Sequence, residues 1–213
     1  KYSRGHVVIA GGAEMTGAAR LATRGAMRAG AGIATVASPP QAVQIYATAM
    51  AGVLVSAVAD GPQFASLLED RRKNAVLVGP GGGINPTTRD MALAALAGDR
   101  AVVLDADALT VFGDDRDALF AETRGKNCLL TPHEGEYARL FQHTGDKLAR
   151  AQAAADQCGA AVLLKGADTV VAAADGRCVV NHNGPATLAT AGAGDVLAGL
   201  ALGLMAQGMD AFC

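Results

Sequence analysis

Tryptophan is absent from this 213-residue chain, and aromatic residues together make up only 4% of it. A protein that grips single-stranded nucleic acid needs aromatic platforms on which bases stack, and almost none are available here. An excess of one charge is missing too: 18 Lys and Arg stand against 20 Asp and Glu, a net charge of −2. With no basic field to meet phosphates or anionic lipid, nucleic acid and membrane surfaces drop out as expected partners. The longest apolar runs, Val196 to Ala206 and Ala51 to Ala59, fall well short of the roughly 20 residues that span a bilayer. The opening Lys1-Tyr2-Ser3-Arg4-Gly5 does not read as a signal peptide, so a cytoplasmic address is the expectation. Cys128, Cys158, Cys178 and Cys213 form no C-x-x-C pair, which speaks against a zinc knuckle or a redox motif. The first three read as small core residues.

Several catalytic signatures are also missing. There is no G-x-x-x-x-G-K-[ST] of a P-loop and no G-x-G-x-x-G after any strand. His133-Glu134 begins like a helical zinc motif, but position 137 is Tyr. No G-x-S-x-G places a serine on a nucleophile elbow, so acyl transfer has no carrier.

What is present alternates. Strand-like runs fall at His6 to Ala10, Ile33 to Ala37, Val53 to Val58, Ala75 to Val78, Ala101 to Leu104, Asn127 to Leu130 and Ala161 to Leu164. Most are apolar on consecutive residues, as parallel strands covered on both faces are. Helical patterns lie between them at Gly17 to Ala29, Pro86 to Ala97, Glu134 to Phe141, Lys147 to Cys158 and Ala193 to Gln207, with Gly145, Gly159 and Gly208 as stop signals for the last three. Thr169 to Ala173 and Arg177 to Asn181, around Ala174-Asp175-Gly176, form a hairpin signal. The class is therefore α/β, a mostly parallel central sheet flanked by helices with a short antiparallel hairpin near the C-terminus. A single domain over residues 1–213 is expected. The unfinished look of Asp210-Ala211-Phe212-Cys213 raises the expectation of a further helix and of a longer parent polypeptide.

Chemistry concentrates in loops that follow the strands. In Gly192-Ala193-Gly194-Asp195 two glycines and an acid open an apolar helix. Unpaired N–H groups and the positive dipole end there suit an anion, and Asp195 stands where a base would take a proton from a hydroxyl being phosphorylated. The plainer reading makes Asp195 an N-cap. Lys165 or Thr169, in Lys165-Gly166-Ala167-Asp168-Thr169, is positioned for nucleotide phosphates, or Lys165 simply ends a strand in solvent. His133 is either a polar substrate contact or a capping residue. Asp105 and Asp107 could position a substrate or a metal, or Asp107 could cap the short helix that follows. His6, His143 and His182 have no such context.

Taken in order, Gly5-His6-Val7 with Gly11-Gly12 and Thr16-Gly17-Ala18-Ala19, Arg28-Ala29-Gly30-Ala31-Gly32, Val78-Gly79-Pro80-Gly81, Leu104-Asp105-Ala106-Asp107-Ala108-Leu109, Leu130-Thr131-Pro132-His133, Glu136, Leu164-Lys165-Gly166 and Ala189 to Asp195 resemble the NAD(P)H-hydrate dehydratases, a branch of the ribokinase-like superfamily. The resemblance covers nearly the whole chain. It implies that Ala18, Gly81 and His133 contact the hydrated nicotinamide nucleotide (NADHX or NADPHX) and that Lys165, Gly166, Ala167, Asp168 and Thr169, with Gly192 and Gly194, hold ADP or ATP. Asp195 becomes the catalytic residue, touching substrate. Magnesium accompanies the nucleotide, with Glu136 acting on it indirectly. The reaction implied is phosphorylation of the 6-hydroxyl followed by loss of phosphate, which restores NADH or NADPH. A homo-oligomer, often a tetramer, and fusion to or pairing with an epimerase for the same damaged cofactor are implied as well. Ala193 departs from the Ser or Thr usual in the family, and Glu134 stands where Pro is frequent. The alternatives are a ribokinase-like kinase of a vitamin-precursor alcohol and a nucleotide-binding module without catalysis.

Overall fold

The computed structural model describes residues 1–213. Nine strands form one sheet: β1 (His6–Ala10), β2 (Ile33–Ser38), β3 (Leu54–Ala57), β4 (Ala75–Val78), β5 (Ala101–Leu104), β6 (Cys128–Leu130), β7 (Ala161–Leu164), β8 (Thr169–Ala172) and β9 (Cys178–Asn181). Their order is β3-β2-β1-β4-β5-β6-β7-β8-β9. Pairing is parallel through β7, and β8 and β9 add antiparallel, so the hairpin expected near the C-terminus is present.

The consecutive apolar residues of the strands feed two cores, because successive side chains point to opposite faces. Val8, Val76, Val78, Val102 and Leu104 meet α3 (Gly61–Leu67), α4 (Pro86–Leu96), α6 (Arg116–Thr123) and α8 (Lys147–Cys158) on one face. Val7, Ile9, Leu77, Val103 and Leu163 meet α1 (Thr16–Arg28), α2 (Val43–Ala49) and α9 (Ala193–Met205) on the other. Each fully buried Val or Leu contributes about 1.5–3 kcal/mol. The rule fails at the sheet's margins. β3 is an edge strand, and Leu54 stays 57% exposed. β9 is the other edge, its Val179 and Val180 exposed as well.

Helices α1 and α9 approach closely because small residues line their contact. A Cβ on Gly25 would stand 2.7 Å from the Val196 carbonyl oxygen, and one on Gly203 2.5 Å from that of Ala26. Ala19, Ala22 and Ala26 complete the seam on the α1 side. This seam carries the N-terminal end of α9 to the carboxyl ends of the strands, which is where the site forms.

Local signals explain most of the helix ends. Asn85 caps α4, accepting from the Thr88 N–H at 3.0 Å with Pro86 at the first turn, and Asp146 caps α8 through the Ala149 N–H at 2.8 Å. Gly159 closes α8 in the left-handed conformation at φ 67°. Two expectations need correction. Gly145 does not end α7 (Glu134–Leu140); Phe141 does, in extended conformation. Helices α2, α3 and α6 are additional to the five expected, each of only seven or eight residues and thus too short to show a full periodic pattern.

Candidate active site

The sheet order reverses between β1 and β4, and such a switch point opens a crevice at the carboxyl ends of the strands. A cavity of about 240 Å³ lies there, lined by Gly11, Gly12, Gly82, Asn85, Thr88 and Met91 among others. Four of its lining residues are glycines, Gly11, Gly12, Gly79 and Gly82. A Cβ on Gly12 would overlap the Gly81 carbonyl, and Tyr46 donates its hydroxyl to the Gly12 carbonyl at 2.8 Å. Gly81 sits at φ 70°, where a Cβ would be 3.3 Å from the Cβ of Ala18. The two residues expected to meet the nicotinamide nucleotide from separate elements are therefore neighbours. Gly79, at φ 128°, packs on the Asp105 carbonyl, which links this wall to the next loop.

That next loop carries the chain's one non-glycine residue with positive φ, Ala106 at φ 49° and ψ −116°. The strained turn sends its two acids apart. Asp107 lies in the first turn of α5 (Asp107–Thr110) without capping it, and its Oδ2 instead accepts the Gly83 N–H at 2.9 Å. Asp105, only 2% exposed, accepts from the Thr131 hydroxyl at 2.8 Å and from Lys165 Nζ at 2.7 Å.

Lys165 thus does not end its strand in solvent. Its ammonium bridges Asp105 and Glu136, the latter at 3.7 Å, and its side chain is 19% exposed. A Cβ on Gly194 would stand 3.6 Å from the same Nζ, so Lys165 faces the start of α9. There Gly192 takes the N-cap position in left-handed geometry, φ 86°, with no side-chain cap. Asp195 is the third residue of the helix and not its cap. Ala193 donates to the Thr190 carbonyl and Val196 to that of Gly192, which leaves the Gly194 and Asp195 N–H groups unpaired. Burial raises the proton affinity of the Asp195 carboxyl above the ordinary aspartate value, the nearby Asp105 charge raises it further, and Lys165 opposes both. An elevated carboxylate beside free N–H groups and an ammonium is suited to accept a proton while an anion is held within reach.

His133 caps α7: its Nδ1 accepts the N–H groups of Gly135 and Glu136 at 2.9 and 3.2 Å, and Glu136 Oε2 accepts the His133 N–H at 2.8 Å. Of the two readings of this residue, the capping one is therefore realised, through one ring nitrogen; Nε2 lies 3.3 Å from Glu136 Oε1. Both Glu136 oxygens are occupied in this way, and no three metal-ligating side chains converge anywhere in the chain. In the Lys165–Thr169 loop the Thr169 hydroxyl is spent on closing the turn, donating to the Gly166 carbonyl at 2.9 Å. Gly166, Ala167 and Asp168 are exposed. The sequence reading missed Thr131, whose hydroxyl orients Asp105, and Lys147, whose ammonium reaches Asp168 at 2.9 Å. Thr131 stands in the Leu130-Thr131-Pro132-His133 motif but is given no role there, and Lys147 lies in no motif.

Comparison with known proteins agrees with this geometry. A model of the NAD(P)H-hydrate dehydratase family matches residues 6–213. A bifunctional NAD(P)H-hydrate repair enzyme of Synechocystis sp. is 36% identical over 97% of this chain and 40% of its own. The chain spans about two fifths of the length of such bifunctional relatives. Among solved structures, the ADP/ATP-dependent NAD(P)H-hydrate dehydratase of Bacillus subtilis, co-crystallised with ATP and Mg²⁺, superposes with a TM-score of 0.82 at 28% identity, over 98% of this chain and 75% of that one. A ribokinase-like superfamily protein of Enterococcus faecalis gives 0.83 at 26% identity, over 96% and 72%. With its ribokinase-like sheet and a match running from β1 to the last residue, the chain belongs to the NAD(P)H-hydrate dehydratase family.

Proposed function

We propose that this chain dehydrates NADHX and NADPHX back to NADH and NADPH, driven by ADP or ATP. The observation that carries the reading is the start of α9, where the elevated carboxyl of Asp195, two unpaired N–H groups and Lys165 converge. Asp195 accepts the proton of the 6-hydroxyl as that oxygen attacks the terminal phosphoryl group. The Gly194 and Asp195 N–H groups and the Lys165 ammonium hold the phosphate charge. Hydroxide is a poor leaving group and phosphate a better one, so the ring nitrogen lone pair expels phosphate to leave an iminium ion, and loss of a proton from C5 to water or the released phosphate restores the double bond of the dihydronicotinamide ring. From ADP the products are the reduced cofactor, phosphate and AMP.

Ala18, Gly81 and the exposed side of His133 are assigned to the hydrated nucleotide, and the Lys165–Thr169 loop with Gly192 and Gly194 to the phosphoryl donor. Magnesium would come with the nucleotide and neutralise charge on its phosphates; Glu136, whose two oxygens are engaged by His133, is assigned to it only indirectly. The same reading has the chain act in the cytoplasm, as a homo-oligomer and alongside an epimerase for the hydrate. No helix of the structure is long and apolar enough to cross a membrane.

The test is absorbance at 340 nm after mixing the protein with hydrated NADH, Mg²⁺ and ADP, and separately with ATP. A nucleotide-dependent rise with release of inorganic phosphate is expected. A stable phosphate ester from an unrelated alcohol, with no rise from the hydrate, would replace this reading with that of a kinase.

A further inference from the structure

Lys147 occupies a place that ordinary helix electrostatics disfavours. It is the first residue of α8, where the dipole repels a cation, and its side chain is only 11% exposed, at a cost in rotamer freedom. Its ammonium turns away from solvent toward the Lys165–Thr169 loop. There it donates to the Lys165 carbonyl at 3.2 Å and to Asp168 Oδ1 at 2.9 Å, with Glu134 Oε1 at 3.9 Å. Gly166 leaves it room, since a Cβ there would collide with the ammonium. Glu134 is itself drawn to Arg150, which grips both its oxygens at 2.8 and 3.0 Å. Asp168 accordingly depends on Lys147: the hydrogen bond from that ammonium is the main cause holding its carboxyl below the ordinary value.

We propose that Lys147 is a positioning residue for nucleoside polyphosphates, clamping the Lys165–Thr169 loop and cancelling the charge of Asp168 that would otherwise face the incoming phosphates. The proposal rests on the assignment of that loop to the nucleotide. It explains how an acid can sit in a loop that receives an anion: the exposed carboxylate is already paired from behind. It also separates Lys147 from Lys165. Lys165 faces Asp195 and the reacting phosphoryl group, whereas Lys147 acts through the loop and leaves the chemical step alone.

The experiment is calorimetric titration of ADP with Mg²⁺ into wild type, Lys147→Met and the double variant Lys147→Met with Asp168→Asn, each checked for an unchanged melting transition. Loss of one charge-assisted contact predicts about a tenfold rise in the ADP Kd for Lys147→Met. Removing the stranded acid in the double variant is expected to recover most of that loss, a rescue that a merely structural lysine would not show. At saturating nucleotide kcat should stay within about twofold. A Kd unchanged in Lys147→Met, no recovery in the double variant, or no ADP binding by wild type would each overturn the proposal. Because the readout is binding, wild type that binds ADP without restoring NADH would refute the dehydratase reading and leave the clamp measured.

Discussion

The β1–β4 end of the site and the β5–β7 end face the same rim with opposite materials. The first is glycine backbone: Gly12 on Gly81, Gly81 beside Ala18, Gly79 on the Asp105 carbonyl. The second is side-chain charge: Asp105, Lys165 and Glu136, with Asp195 facing them from α9. Sterics set the first, because a single added carbon meets a carbonyl oxygen. Electrostatics set the second, because burial and the Asp105 charge raise the proton affinity of Asp195 while Lys165 opposes them. Substitutions in the glycine wall should therefore register as lost stability, and those in the charged wall as lost activity with the fold intact.

The widest expected separation comes from Asp195→Asn. Removing a general base lowers kcat by about 10³-fold. Stability should move the other way. In the unfolded chain the carboxyl ionises near its ordinary value of 3.8, and in the folded chain that value is raised. Below the unfolded value both states are protonated and the residue contributes nothing; above the folded value the ionised group penalises the native state. At neutral pH the variant should thus melt at the same temperature as wild type or higher, with the difference vanishing in acid. A variant both inactive and clearly destabilised would break the distinction between the two walls.

Gly79→Ala is the counterpart. The new Cβ collides with the Asp105 carbonyl, and φ 128° is a conformation that alanine rarely adopts. The two costs together are about 3 kcal/mol, read as a lower urea midpoint at unchanged slope. Activity per folded molecule should fall far less than in Asp195→Asn.

The division also governs what could be read in the amino-acid order. Parallel strands announce themselves as apolar runs, and β4, β5 and β7 fall at Ala75–Val78, Ala101–Leu104 and Ala161–Leu164 as expected. The sharp loops were visible as glycines. What glycine spacing does not carry is which carbonyl each glycine abuts, so the meeting of Ala18 with Gly81 emerged only in three dimensions. In the charged wall the order showed Asp105 and Lys165 after strands and Glu136 and Asp195 at helix starts, as separate residues. Their pairing depends on β5, β6 and β7 lying side by side, 60 residues apart for Asp105 and Lys165. Lys147 was illegible, because a lysine near a helix start looks like a solvated surface charge until the loop it reaches is known.

A smaller effect probes the charged wall directly. With Asp195 as base, kcat/KM falls as pH drops through its raised value, so the acid limb should lie above the ordinary aspartate range. Lys165 is the group that opposes this rise, and Lys165→Met should move the limb further up in addition to weakening phosphate binding. A limb moved to lower pH would contradict the charge coupling between the two residues.

The smallest expected effect tests a residue that belongs to both vocabularies. His133 caps α7 through Nδ1, as a backbone-directed group does, while its ring remains 56% exposed at the mouth of the charged wall. Because Nδ1 accepts two N–H groups it carries no proton, so the ring proton of the neutral form sits on Nε2. The two duties can be separated by Asn, which caps a helix well but is shorter than imidazole. His133→Ala should cost about 1 kcal/mol through the lost cap. His133→Asn should hold stability near that of wild type yet raise KM for the hydrated nucleotide several-fold, with KM for ADP unchanged. If Asn preserves both stability and KM, capping is the whole role of the residue and the hydrate is held by the backbone wall alone.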